Sequence, residues 1–423
     1  MGPDRQAAEV LSVLKMSVVH VGTVLGFYVL SACGGTQQPS PAPTSAGALK
    51  PVSQAALQTM LDTSVRKLLI PGAVILLRTP QGEFDVTSGT TQLGTMHRPN
   101  TRTYFRIASN TKMMTAAIIV QLAQEGKLNF SDPVSKYVAG VPNGSNITIA
   151  ELLDMRSGLY NFLESPKLSK SADTDPTKVW TPSELLAIAF AHKPNFAPDA
   201  EYEYNNTNYV LLGLIVENLE HKTLANAMQD RLFGPLGLRH TVMPPNSVNA
   251  IPAPYSHGYL YGSASEAFVG RPPYSPAFKA KARAGTIKPN DFTNLNHSFS
   301  WAAGAAISNA DDCATWIEAL VSGGVFNAKY QRIWFDSLRI EDPQKPDGAQ
   351  YGYGITTLRW GRNTVYYHGG ETAGYNSFIG YDPVNKVTLV VWANQPVSLD
   401  LLPNANTIML NVLDQIYTES PLH

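Results

Sequence analysis

Three short stretches of this chain carry side chains able to do nucleophilic chemistry. The first is Tyr104-Phe105-Arg106-Ile107-Ala108-Ser109-Asn110-Thr111-Lys112, which places a hydroxyl three residues before an amine. If a helix begins near Ser109, Lys112 stands one turn above it on the same face. The first-turn backbone N–H groups have no intrahelical partners and can meet an anion. A serine oxygen activated by the amine, with those N–H groups waiting for the oxyanion, is a plan for acyl transfer. The plainer reading makes Ser109 a helix cap and Lys112 a solvated residue. A second Ser-x-x-Lys, Ser64 and Lys67, lies in a polar amphipathic stretch and reads as helix surface.

The second stretch is Glu203-Tyr204-Asn205-Asn206-Thr207-Asn208-Tyr209, at the mouth of an apolar helical run from Val210 to Leu219. Asn206 or Asn208 suits an N-cap. A phenol beside an amide there also offers a proton shuttle and a clamp for a substrate amide. The third is Tyr366-Tyr367-His368-Gly369-Gly370-Glu371-Thr372. A strand ending in two glycines lets a ligand backbone come close and leaves bare N–H groups, although a simple strand-end turn has the same composition.

The elements that position these groups follow from periodicity. Met113 to Leu122 is apolar on almost every side and predicts a buried helix behind Ser109. Ala73 to Leu77 and Phe84 to Val86 flank a Pro80-Gln81-Gly82 turn as an antiparallel pair. Between about Gly126 and Phe268 the signals are helical, with Pro and Gly punctuation between short helices such as Ile149–Leu153 and Pro182–Phe190. Residues 256–289 read as a loop carrying Arg271, Lys279, Lys281 and Arg283, a solvated stretch or a basic rim for an acidic ligand. Strand signals return at Tyr353 to Arg359 and Thr364 to Tyr367. Asn376–Tyr381 and Val387–Trp392 then form a hairpin around Asp382-Pro383-Val384-Asn385-Lys386, and Thr407 to Tyr417 ends the chain as an amphipathic helix. The expected architecture is α/β of the α+β type. An antiparallel sheet built from both chain ends, with flanking helices, carries an inserted, mostly helical subdomain at about 126–290. A pocket is expected at their junction.

Composition removes several classes of function. With 32 basic and 33 acidic residues there is no electrostatic case for nucleic acid. Nine histidines and two cysteines show no zinc spacing, and Gly369-Gly370 is followed by Glu371 rather than a phosphate-loop Lys-Ser, so neither a metal nor another cofactor is expected. The N-terminus differs in character. Val18 to Leu30 is an apolar run followed at once by Ser31-Ala32-Cys33-Gly34, too short to span a bilayer comfortably, and it reads as a secretory segment. Leu30-Ser31-Ala32-Cys33 resembles the bacterial lipoprotein box, which implies a signal peptide over 1–32 and lipidation of Cys33. Residues 33–50 then form a Pro/Ser/Thr/Gly-rich tether, and 51–423 the folded domain. Only Cys313 remains in the folded part, on a helical pattern that makes it a core residue.

Taken in order, Ser109-x-x-Lys112, Tyr204-x-Asn206 and His368-x-Gly370 resemble the three motifs of the serine beta-lactamase and penicillin-binding superfamily. The branch they are most similar to holds class C beta-lactamases, secreted D-alanyl-D-alanine carboxypeptidases and related esterases. Leu122 to Leu128, Met155 to Tyr160, Tyr204 to Gly213 and Phe299 to Gly304 resemble the carboxypeptidases as well, so the likeness covers the chain from about Gln54 onwards. The resemblance implies the beta-lactamase/DD-peptidase-like fold. It makes Ser109 the acylated nucleophile, Lys112 and Tyr204 the proton-transfer pair, and Asn206 the partner of the substrate amide. The backbone N–H groups of Ser109 and Glu371 become the oxyanion hole. His368 acts electrostatically, Gly370 keeps the strand bare, and Arg359 holds a substrate carboxylate. Two departures stand out: Gly369 and Glu371 occupy positions where carboxypeptidases carry hydroxyl residues, and a carboxylate at Glu371 repels a free C-terminus unless Arg359 neutralises it. The expected protein is a monomeric serine hydrolase, lipid-anchored on the extracytoplasmic face of the bacterial membrane. It acts on D-Ala-D-Ala peptides or in a beta-lactamase-like way, with beta-lactams turned over slowly at best. A carboxylesterase or amidase of the same fold, and a non-catalytic binding lipoprotein, are the alternatives.

Overall fold

Alternation along two strands explains the central architecture. In β1 (Gly72–Thr79) Val74 and Leu76 enter one core while Ala73, Ile75 and Leu77 enter another. A strand buried on both faces needs a layer above and a layer below. The computed structural model describes residues 49–269 and 273–419, so Cys33, the signal segment, the tether as far as residue 48, and Arg271 lie outside the described residues. The last two tether residues are held: Leu49 bridges to Tyr417, and the Lys50 N–H donates to Ile416 O at 2.8 Å.

The first layer is helix α1 (Gln54–Leu68), started by Ser53, whose hydroxyl accepts from the Ala56 N–H. Leu57, Leu61, Val65 and Leu68 recur at helical spacing and pack on β1 and β2 (Gly82–Gly89). Ser64 is turned into this packing face and only Lys67 is in solvent, so this Ser-x-x-Lys is half core rather than all surface. A short strand β3 (Phe105–Arg106) follows, then a 3-10 turn over Ala108–Asn110 and helix α2 (Thr111–Gln124). Every residue of α2 except Gln121 and Gln124 is buried, as an all-round apolar helix requires.

Beyond Gly126 the chain is helical, as expected, with α3 (Asn206–Glu220) packed against α2. Capping is explicit in this part: Thr148 and Thr181 each form a reciprocal box with Glu151 and Glu184. The expected loop at 256–289 contains helices at Glu266–Val269 and Pro276–Arg283, with strand β4 (Tyr259–Leu260) pairing β5 (Asn290–Asp291). β3 pairs with β6 (Ile307–Ser308) in a separate two-stranded sheet. Helices α4 (Ala310–Val321) and α5 (Ala328–Asp336) prolong the helical part past residue 290 to Asp336. Cys313 is buried in α4, a core residue as its pattern implied.

The remaining strands are β7 (Arg339–Ile340), β8 (Gln350–Tyr351), β9 (Thr356–Trp360), β10 (Asn363–Thr372), β11 (Tyr375–Asp382) and β12 (Val387–Ala393). The large sheet is antiparallel in the order β2-β1-β12-β11-β10-β9-β8-β7, so both ends of the chain build it. One expectation changes here. β10 does not end at the two glycines but runs on to Thr372, because Gly369, Gly370 and Glu371 stay in register with Phe378, Ser377 and Asn376. Helix α6 (Asn404–Ile416) closes the face that α1 covers.

Candidate active site

Ser109 sits in the tight turn where β3 gives way to α2. Ala108 before it has φ 47°, a left-handed value unusual for a residue with a side chain, and hydrogen bonds hold the turn in place. Thr111 Oγ1 donates to Ala108 O at 2.7 Å, and Asn110 Nδ2 donates to both Ile107 O and Ser377 Oγ at 2.9 Å. Those bonds press the turn against β10 and β11, which brings the bare strand at Gly369-Gly370 alongside the serine.

Lys112 is fully buried one turn above Ser109, with Nζ 3.0 Å from Ser109 Oγ. It donates to Asn206 Oδ1 and to the Ala303 carbonyl, each at 2.8 Å. Burial holds its amine well below the usual lysine range, which favours the neutral form. Nζ is within hydrogen-bond distance of all three partners, and a neutral amine donating to the two carbonyl oxygens keeps a lone pair for the Ser109 hydroxyl. Tyr204 stacks beside it, with Nζ 4.8 Å from the ring centroid, and its hydroxyl is hydrogen-bonded to Ser109. Burial pushes that phenol up, so it stays protonated at rest.

Asn206 is the first residue of α3, and the cap is Asn205, whose Oδ1 accepts from the Thr207 N–H at 2.9 Å. Neither expected cap has that role, and Asn208 instead accepts from Ser157 Oγ. The helix start therefore aims the Asn206 amide at Lys112.

His368, expected to act electrostatically, is held without a positive charge. Its Nδ1–H donates to Gly369 O at 2.6 Å, and its Nε2 lies 3.1 Å from the Tyr351 hydroxyl. Burial above all lowers its pKa to about 3, so the ring is a neutral wedge that brings no positive charge. Arg359 is also corrected. It lies exposed on β9, opposite Thr364 and three residues beyond Thr356, the only residue of that strand to line the pocket. Of the other basic residues once placed at a rim, Lys279 and Arg283 pair with Asp400.

The structure thus brings Ser109, Tyr204, Asn206, His368, Gly370 and Glu371 to one cavity of about 220 Å³, with Lys112 buried behind its wall against Ser109 and Asn206. Several wall residues carried no sequence signal. Tyr351 packs edge-on to Tyr204 and His368. Glu164 and Glu203 face the cavity beside Phe268 and Phe299. The Ala303 carbonyl belongs to the Trp301-Ala302-Ala303-Gly304 segment, whose likeness to carboxypeptidases was the only hint of it. Among the described residues, no group of three or more His, Cys, Asp or Glu side chains is placed to hold a metal.

Known proteins share this fold. The family described as Beta-lactamase matches residues 57–414. A protein of Escherichia coli (strain K12) named "Putative D-alanyl-D-alanine carboxypeptidase" is 24% identical over 377 residues, covering 84% of this chain and 86% of its own. The solved D-stereospecific amidohydrolase from Streptomyces sp. is 28% identical with a TM-score of 0.72, covering 85% of this chain and 98% of that one. The D-amino acid amidase from Ochrobactrum anthropi SV3, complexed with D-phenylalanine, shares the fold at a TM-score of 0.72 and 24% identity, over 85% of this chain and 98% of that one.

Proposed function

We propose, since the chain belongs to the beta-lactamase family and is a serine hydrolase of that fold, that it cleaves small amides or esters through an acyl-enzyme on Ser109. The observation that carries this is the Lys112 amine, buried, bonded to two carbonyl-type acceptors and 3.0 Å from Ser109 Oγ. In the proposed reaction the Ser109 proton passes to the Lys112 lone pair while Oγ bonds to the substrate carbonyl carbon. The N–H groups of Ser109 and Glu371 receive the oxyanion. Tyr204 gives its proton to the leaving nitrogen or oxygen as that bond breaks, helped by the new ammonium against its ring. Water then adds to the acyl carbon, passes a proton back through the same pair, and frees the acid as Oγ is reprotonated.

The structure favours an amidase or esterase over a carboxypeptidase. A C-terminal carboxylate needs a cation, yet Arg359 is outside the pocket and no Arg or Lys is among the described residues that line it. D-configured substrates are suggested by the name of the Streptomyces relative. The D-Ala-D-Ala reading keeps one support, the name of the Escherichia coli relative. Lipid anchoring at Cys33 on the extracytoplasmic face is proposed from the N-terminal sequence, and loss of membrane-fraction recovery in Cys33→Ser would be its check. Among the described residues no helix is long and apolar enough to cross a membrane.

The test is intact-mass labelling with a fluorophosphonate and with fluorescent penicillin, beside Ser109→Ala. Fluorophosphonate adducts lost in the variant support the acyl-enzyme. Additional penicillin adducts would move the substrate toward peptidoglycan peptides. No adduct with either reagent on folded protein refutes the mechanism.

A further inference from the structure

Glu164 ends a 3-10 turn, Phe162–Glu164, that begins at Asn161 and forms one wall of the cavity holding Ser109. Its carboxylate is half-buried in that wall and, among the described residues, makes no hydrogen bond or ion pair with any other side chain. Buried charges are normally paired. Glu203 lines the same cavity and, among the described residues, is bonded to neutral amides alone, Asn195 Nδ2 at 3.0 and 2.8 Å and Asn205 Nδ2 at 3.4 Å. The two acids act on each other unfavourably: Glu164, after burial itself, helps push the Glu203 carboxyl up. Among the described residues that line it this partly buried acidic wall has no Arg or Lys, and a cation on the ligand would complete it.

Size and lining narrow the ligand. A cavity of about 220 Å³ is below the roughly 300–1,000 Å³ that drug-sized ligands occupy. Phe268 and Phe299, edge to face with centroids 4.9 Å apart, offer an apolar floor. Cation, apolar side chain and scissile carbonyl must then belong to one residue or to two neighbours.

We infer that Glu164 is a specificity-determining residue that receives the protonated amine of the substrate, restricting the site to small amino-acid amides, esters or short peptides whose amino group is free. The inference rests on the acyl-enzyme reading above. It turns the substrate round relative to a carboxypeptidase: the amino end is recognised by charge, the carboxyl end is not.

The experiment compares phenylalanine p-nitroanilides of both configurations, each with a free and an N-acetylated amine. Charge-assisted recognition gives the free amine an advantage in kcat/KM of about tenfold or more for the configuration that is turned over. Glu164→Gln shrinks that ratio by about fivefold or more, and Glu164→Asp keeps part of it. Because the ratio is taken within each variant, partial loss of folded protein cancels. Equal or faster turnover of the acetylated substrate, or an unchanged ratio in Glu164→Gln, overturns the inference alone, since Ser109 still labels with fluorophosphonate. Failure to turn over any of the four by protein that labels at Ser109 overturns it too. Failure to label takes the acyl-enzyme reading down with it.

Discussion

Replacing Gly370 by alanine asks how closely the bare strand must lie against the serine turn. A Cβ at residue 370 would overlap the Ile107 carbonyl oxygen and sit 2.6 Å from both Asn110 Nδ2 and Ser377 Oγ. Ordinary contacts are about 3.5–4.0 Å, so β10 and the turn must part by roughly 1 Å. Those three groups are the ones that hydrogen-bond the turn in place, so none can yield without releasing Ser109. Overpacking of this kind costs about 1–3 kcal/mol. A displacement of about 1 Å between nucleophile and oxyanion donors lowers the rate about 100-fold. Gly369 is the matched comparison, because a Cβ there meets only Ser377 O, at 3.8 Å. The assay is kcat/KM on a p-nitrophenyl ester, the rate of fluorophosphonate labelling and a urea midpoint for both variants. The reasoning fails if Gly370→Ala keeps kcat/KM within about threefold of wild type, or if Gly369→Ala is equally damaging.

Further expectations test the neighbouring groups. The folded His368 ring has a pKa of about 3 against an ordinary 6.5, so below 6.5 the unfolded chain binds the extra proton and stability falls with pH. The loss from this group is about 2 kcal/mol at pH 5 relative to pH 8, and urea midpoints at the two pH values should show a shallower fall in His368→Gln. Tyr351→Phe strands the His368 Nε2 without its partner and should cost about 1–3 kcal/mol with slower acylation, whereas unaltered melting and labelling would argue against it. Asn206→Asp sets a carboxylate 2.8 Å from Lys112 Nζ and raises the amine's pKa. The acidic limb of the kcat/KM profile should move to higher pH with a rate loss of about 100-fold or more, and an unmoved limb would exclude Lys112 as the base.

Much of this was readable beforehand, for reasons that differ by element. The sheet strands and α2 carry their environment in their own periodicity, which is why β1, β12 and the serine helix were placed to within a residue or two. Ser109, Lys112, Tyr204 and Asn206 lie at helix starts, where sequence spacing translates almost directly into spatial proximity. His368 was harder. Its type and position were legible, but its neutrality depends on desolvation that no local pattern records, and its partner Tyr351 comes from another strand seventeen residues earlier. Arg359 failed for a related reason: a register of β9 against β10, fixed by pairs such as Thr364 with Arg359, carries it away from the pocket. Glu164 and Glu203 were invisible because a surface acid and a pocket acid look alike until the fold is closed.

The Leu49–Tyr417 bridge has a mechanical side. Lys50 reinforces it, its N–H bonded to Ile416 O at 2.8 Å and its Nζ to Asp414 O at 2.6 Å, all at the C-terminal end of α6. Pro403 and Asn406, which line the pocket, are at the other end of that helix, about 20 Å away at 1.5 Å per residue. Tension drawn through the chain before Leu49 would be borne first by this clasp, a helix length from the cavity. The catalytic groups would therefore feel little of a load applied at the N-terminal side.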